Sequence, residues 1–195
     1  VPDLIVIHYT AMATFEAARD RLCDPAAEVS CHWLIAEDGR VLQLVDEALR
    51  AWHAGAGEWA GRDDVNSRSI GIELANDGAS PFPEPQMRAL EGLLHGIMAR
   101  WSIRPAGVIA HSDMAPDRKS DPGPRFDWRR LARQGLAVWP GPALPGDFDA
   151  HLRAFGYPCA ALEAFRLRFR PWARGPLDDT DRALAAGLDA AARTA

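Results

Sequence analysis

The segment Val108–Gly123, reading VIAHSDMAPDRKSDPG, constrains this chain more than any other. An apolar run from Gly107 to Ala110 predicts a short buried strand that delivers His111 at its end. Pro116 and Pro122 then stop regular structure, because proline fixes φ and removes a hydrogen-bond donor. A histidine, a lysine and an aspartate are thereby gathered on irregular backbone at the end of a rigid strand, where binding and catalytic side chains concentrate. Pro122 biases Asp121 toward extended backbone, in which side chains two apart share a direction, so Lys119 and Asp121 are expected to face one site.

A partner stands far upstream. Leu4–Tyr9 (LIVIHY) reads as an N-terminal strand, with Leu4, Val6 and His8 on one face. Two histidines that each end an apolar strand, together with Asp121, make the three-ligand set of a catalytic zinc, which leaves a fourth position for water. Each histidine is then expected to give its second ring nitrogen a partner of its own. No HExxH-type spacing is present, so the ligands His8, His111 and Asp121 must be brought together by the fold.

With 195 residues, 48% of them hydrophobic, the chain is long enough for one moderate domain with a real core, or a domain plus a small appendage. A net charge of −5 gives no bulk attraction to nucleic acid, and no apolar run approaches the roughly 20 residues of a membrane span. The three cysteines, Cys23, Cys31 and Cys159, are too few and too odd for a disulfide scaffold and read as free thiols, which favours a reducing compartment. The chain begins Val-Pro without methionine, so the expectation is that an N-terminal segment, a leader or lipid anchor among the candidates, has been removed.

In order along the chain, Thr14 predicts the cap of a short helix with Phe15, Ala18 and Leu22 on one face. Cys31–Ala36 and Val41–Val45 around Glu37-Asp38-Gly39-Arg40 read as a hairpin joining the first strand. His32, among ordinary strand formers, is expected to be packed and hydrogen bonded rather than a ligand. Ala51–Gly57 is too glycine-rich for a regular element and sets Trp52 and His53 on a loop that lines a groove. There His53 is either a substrate contact or a ring packing the loop on the sheet. Arg62, with Trp59 and Arg68, is a candidate for meeting carboxylates of a ligand, against the commoner solvated arginine. Ser69–Leu74 alternates, placing Ile70, Ile72 and Leu74 on one face and Ser69, Gly71 and Glu73 on the other. A glutamate mid-strand, on a face that glycine keeps open, is a candidate general base; the competing reading is an edge strand with a solvated face.

Glu84–Trp101 carries Met87, Leu90, Leu94, Ile97, Met98 and Trp101 at helical spacing and reads as the main core helix, with His95 at its flank in a structural role. Asp127 predicts the cap of a further helix stopped by Gly135. Strands alternate with helices, so residues 1–138 are expected to be α/β with a mixed central β-sheet flanked by helices. Residues 139–146, WPGPALPG, form a proline-stiffened linker. Residues 147–195 then mark three short helices with a thin core, a small all-α unit that must cover its apolar face by docking on the first domain. His151 in this unit reads as a surface residue.

The segments IVIHYTA (5–11), SCHWLIAEDGRVLQLV (30–45), AWHAG (51–55), NSRSIGIEL (66–74) and AHSDMAPDRKSDPGPRFDW (110–128) resemble, in order and spacing, the zinc-dependent N-acetylmuramoyl-L-alanine amidase type 2 family, related to phage amidase lysozymes and peptidoglycan recognition proteins. AFGYP (154–158) and AFRLRFRP (164–171) are similar to the small helical peptidoglycan-binding domain of its periplasmic, outer-membrane-anchored branch. The resemblance implies zinc on His8, His111 and Asp121, with Glu73 and Lys119 as the catalytic pair acting on the lactyl–L-alanine amide of peptidoglycan or muropeptides. It implies a cell-envelope setting, whereas the free cysteines and the lack of a visible signal peptide leave the cytoplasm open. The competing classes are a non-catalytic peptidoglycan recognition module and a zinc hydrolase of ordinary peptides.

Overall fold

The computed structural model describes residues 1–159 and 161–194. Five strands form one sheet in the order β3-β2-β4-β1-β5. They are β1 (Leu4–Tyr9), β2 (Trp33–Ile35), β3 (Val41–Gln43), β4 (Ser69–Leu74) and β5 (Val108–Ala110). β4, β1 and β5 run parallel, β2 is parallel to β4, and only the β2–β3 hairpin is antiparallel. The mixed sheet is as expected, with one correction. The hairpin joins β4 rather than β1, because β4 occupies the centre of the sheet and takes β1 on its other side. The solvated-edge reading of Ser69–Leu74 falls for the same reason.

Alternation decides which face each strand buries. Ile5 and Ile7 of β1 and Ile70, Ile72 and Leu74 of β4 pack with Met87, Leu90, Leu94 and Ile97 of α2 (Glu84–Trp101) and with Trp128 and Leu131 of α4 (Trp128–Arg133). The α4 N-terminus is capped by Asp127, whose side chain accepts from the Arg130 amide. On the opposite face, Leu34 of β2 lies under α1 (Phe15–Cys23), with Phe15 and Ala18 turned inward and Thr14 accepting from the Ala17 amide as its cap. Leu4 and Val6 of β1 and Ile109 of β5 pack on Phe148, Leu152, Phe155, Phe165, Phe169 and Leu188.

Those last six belong to α5 (Phe148–Phe155), α6 (Leu162–Phe169) and α7 (Asp179–Thr194). The C-terminal helices therefore share a continuous apolar core with the sheet. The junction also holds a buried ion pair. Arg168 of α6 donates to Asp113, lies 4.0 Å over the Trp128 ring and reaches Val108 O, while the Tyr157 hydroxyl donates to the same carboxylate. Asp113 sits on the single helical turn α3 (His111–Met114), a regular turn where the sequence predicts loop directly after the strand. His151 is a further correction: its Nδ1 lies 3.0 Å from Asp189 Oδ2, tying α5 to α7. Among the described residues no helix is long and apolar enough to cross a membrane.

Candidate active site

Three adjacent parallel strands end side by side, and their carboxyl ends carry the site, as open α/β sheets favour. His8 of β1 is paired in register with Glu73 of β4, and Ile7 pairs with Ala110, the residue before His111. Glu73, His8 and His111 are thus set in a row by strand register alone. The turn after α3 brings Asp121 up against them, with the Asp121–Pro122 peptide cis and the Ser112 amide donating to Asp121 O. α1, the 51–57 loop and residues 118–121 wall the cleft, which Trp52, Glu73, Lys119 and Asp121 line together with both histidines.

His8 Nδ1 is 2.9 Å from His111 Nδ1 and 3.0 Å from Asp121 Oδ2, and His111 Nδ1 is 2.9 Å from the same oxygen. All three residues are buried. Among the described residues they are the one group of three histidine, cysteine or acidic side chains whose ligand atoms converge, and they form a candidate metal site. Burial, with His111 adding to it, lowers the His8 imidazole to about 4, so it is neutral at pH 7. Burial opposes the Asp121 charge, yet the two imidazoles at its oxygen hold the carboxyl well below the usual range.

Both second ring nitrogens have partners, as the ligand reading requires: His8 Nε2 lies 3.0 Å from His53 Nδ1, and His111 Nε2 lies 2.9 Å from Ala54 O. Glu73 faces the cleft with Oε2 buried and free of any hydrogen bond. Burial first, and the Asp121 charge second, push its carboxyl up to about 8, against the pull of Lys119. A carboxylate with a free oxygen and a raised pKa in a cleft is a candidate for proton transfer.

The remaining sequence candidates part company. Trp52 is 54% exposed at the cleft rim. His53 is buried on the cleft floor and occupies the space over Gly71, where a Cβ would lie 2.3 Å from His53 Cγ; that face of β4 is filled by a ring rather than left open. Arg62 lies away from the cleft at the opposite end of β1, where its guanidinium pairs with Asp3 at 3.1 Å, so its carboxylate partner is internal. Arg68 binds the same Asp3, and Trp59 is buried against Phe155 and Tyr157. His32 is buried and doubly bonded, accepting from the Gly71 amide and lying 3.0 Å from Leu49 O. Two residues escape a linear reading. Asn66 Oδ1 accepts from the amides of both His53 and Ala54, and Arg118 donates to the carbonyls of Ala54 and Ala56, so the 51–57 loop is held from both sides.

Residues 1–124 match the family model described as N-acetylmuramoyl-L-alanine amidase. The chain is 42% identical over 153 residues, 70% of its length and 54% of the relative's, to N-acetylmuramoyl-L-alanine amidase AmiD of Escherichia coli (strain K12). It is 41% identical over 103 residues to 1,6-anhydro-N-acetylmuramyl-L-alanine amidase AmpD of Enterobacter cloacae, covering 53% of this chain and 55% of that one. It thus spans about half the length of these curated relatives. The solved complex of AmiD from E. coli with anhydro-N-acetylmuramic acid-L-Ala-D-gamma-Glu-L-Lys superposes with a TM-score of 0.87 at 35% identity, over 96% of this chain and 88% of that one. AmpDh3 from Pseudomonas aeruginosa in complex with anhydromuramic pentapeptide gives 0.88 at 32% identity, over 97% and 91%. Matches this long take in the C-terminal helices as well as the sheet.

Proposed function

Because the chain belongs to the N-acetylmuramoyl-L-alanine amidase family, we propose that it hydrolyses the amide between the lactyl group of N-acetylmuramic acid, or its anhydro form, and the L-alanine of the stem peptide. The observation that carries this is a single cleft in which the ligand atoms of three buried residues converge beside a carboxylate whose buried Oε2 has no partner. The donor set of two imidazole nitrogens and one carboxylate oxygen fits zinc, the metal we assign to His8, His111 and Asp121. Zinc, when bound, supplies Lewis-acid polarisation of a carbonyl and a lowered pKa for water.

The chain's own groups complete the chemistry. Glu73 Oε2 takes a proton from the attacking water and returns it to the leaving amine of L-alanine, so one carboxyl serves both halves of the hydrolysis. Its raised pKa suits that double duty near neutral pH. Lys119 stabilises the oxyanion that develops on the scissile carbonyl. The exposed Trp52 at the rim presents a flat apolar face to the substrate. The products are the muramyl sugar and the intact stem peptide.

Incubation of the zinc-loaded chain with an anhydro-muramyl tripeptide, and separately with ordinary peptides, tests the reading by product mass. Release of a free stem peptide from the muropeptide alone is the expected result. Binding of the muropeptide without cleavage would identify a recognition module instead, and equal cleavage of ordinary peptides a general zinc peptidase.

A further inference from the structure

Beneath the metal-ligand triangle lies a chain of hydrogen bonds whose direction is fixed by its far end. The Ser69 hydroxyl is 2.5 Å from Val65 O, an atom that only accepts, so its hydrogen is committed there. Ser69 Oγ is also 3.2 Å from His53 Nε2 and, with its own hydrogen spent, accepts from that nitrogen. With its ring proton given to Ser69 Oγ from Nε2, His53 presents a bare lone pair at Nδ1. That lone pair accepts from His8 Nε2–H at 3.0 Å, and His8 Nδ1, the atom turned toward His111 and Asp121, is left without a proton. Gly71 makes room for the relay, and Asn66 pins the backbone of His53 from below.

We propose that Ser69 and His53 are positioning residues that fix the tautomer of His8, presenting its Nδ1 as a ready ligand, and that His53 serves the metal rather than the substrate. The inference rests on the metal-site reading above. It assigns the AWHAG loop a double task, since the next residue, Ala54, fixes the proton of His111 on Nε2 through its carbonyl. A wrong tautomer at His8 would place N–H where a lone pair is needed, and the proton would have to be displaced before the metal could bind.

The test uses the full chain labelled with ¹⁵N-histidine, together with zinc titrations of the wild type, His53→Leu, His53→Asn, Ser69→Ala and His8→Ala against a chromogenic chelator. In the metal-free wild type, nitrogen shifts should place the His8 proton on Nε2. His53→Leu keeps apolar bulk but offers no acceptor, and zinc affinity should fall about 10- to 100-fold, the usual cost of losing a partner of a ligating histidine. His53→Asn, whose Oδ1 can replace Nδ1 as acceptor, should recover most of that loss, a rescue that mere packing would not produce. Ser69→Ala should also weaken zinc and introduce Nδ1–H at His53. A His8 proton on Nδ1 in the wild type overturns the relay, and that measurement needs no variant to fold. Wild-type affinity in His53→Leu overturns it too while leaving the metal site intact. If the wild type binds zinc no more tightly than His8→Ala, the metal reading itself fails.

Discussion

At the scale of single residues, the proposed roles separate the groups assigned to hold a metal from the group assigned to move protons. Glu73 contacts none of the ligand atoms by hydrogen bond and has its Oε2 free. Glu73→Ala is therefore expected to keep zinc and to lose about 10²- to 10⁴-fold in turnover, read as metal content beside muropeptide hydrolysis. Near-normal activity would mean that the base lies elsewhere. Asp121→Ala should instead lose the metal and the activity together, because its oxygen is shared by both histidines.

At the scale of elements, two close approaches hold the sheet and its loops in register. The His53 ring lies directly on the β4 backbone at Gly71, so Gly71→Ala must push the 51–57 loop off the sheet. Overpacking of this kind costs about 1–3 kcal/mol, measurable by denaturant unfolding of the metal-free chain, and zinc affinity should fall with it. On the far side, Glu47 ties the segment after β3 to the end of α2, accepting from Trp33 Nε1 at 3.0 Å, Trp101 Nε1 at 2.6 Å and Arg100 Nη2 at 2.6 Å. Burial opposes the Glu47 charge, but the donors from Arg100 and Trp101 outweigh it, and the folded pKa lies below the ordinary one. The stabilisation is thus present above the unfolded value of about 4.3 and is lost as pH falls through the depressed folded value. Glu47→Gln should lower stability at neutral pH and flatten the acid limb of a stability-against-pH curve.

For the whole molecule, the question is whether the C-terminal helices can be treated as an appendage. We propose for them an accessory role in engaging the cell wall, resting on the motif resemblance in residues 154–171. Their core is nevertheless the same cluster that covers Leu4, Val6 and Ile109, and Arg168 neutralises an Asp113 carboxylate on the very turn that carries His111. Arg168→Met would leave that carboxylate buried and unpaired, at a cost of about 3–5 kcal/mol in urea unfolding. Truncation after Gly146 removes the cation and uncovers the apolar face of β1 and β5 at once. The truncated chain is expected to aggregate or to lose near-ultraviolet circular dichroism rather than to persist as a free catalytic domain. A monomeric, zinc-binding fragment would show that the shared core is dispensable.

Much of this was legible in the linear sequence because it depends on near neighbours. Alternation over six residues decided which side of β1 holds His8 and which side of β4 holds Glu73, and the Asp-Gly turn and the Thr14 and Asp127 caps act within three or four positions. The convergence of His8, His111 and Asp121 was legible as well, since a histidine at the end of an apolar strand and an aspartate in a proline-bounded loop each declare their place locally. What remained hidden depends on which distant surfaces meet. The place of β4 between the hairpin and β1, the Asp3 partner of Arg62, the Asp189 partner of His151 and the seating of His53 over Gly71 follow from strand order and register. The sequence marks Ser69 and Asn66 only as small polar residues. Their hydrogen bonds to the 51–57 loop exist because tertiary packing buries both residues and pairs their polar atoms with groups that only the fold brings there.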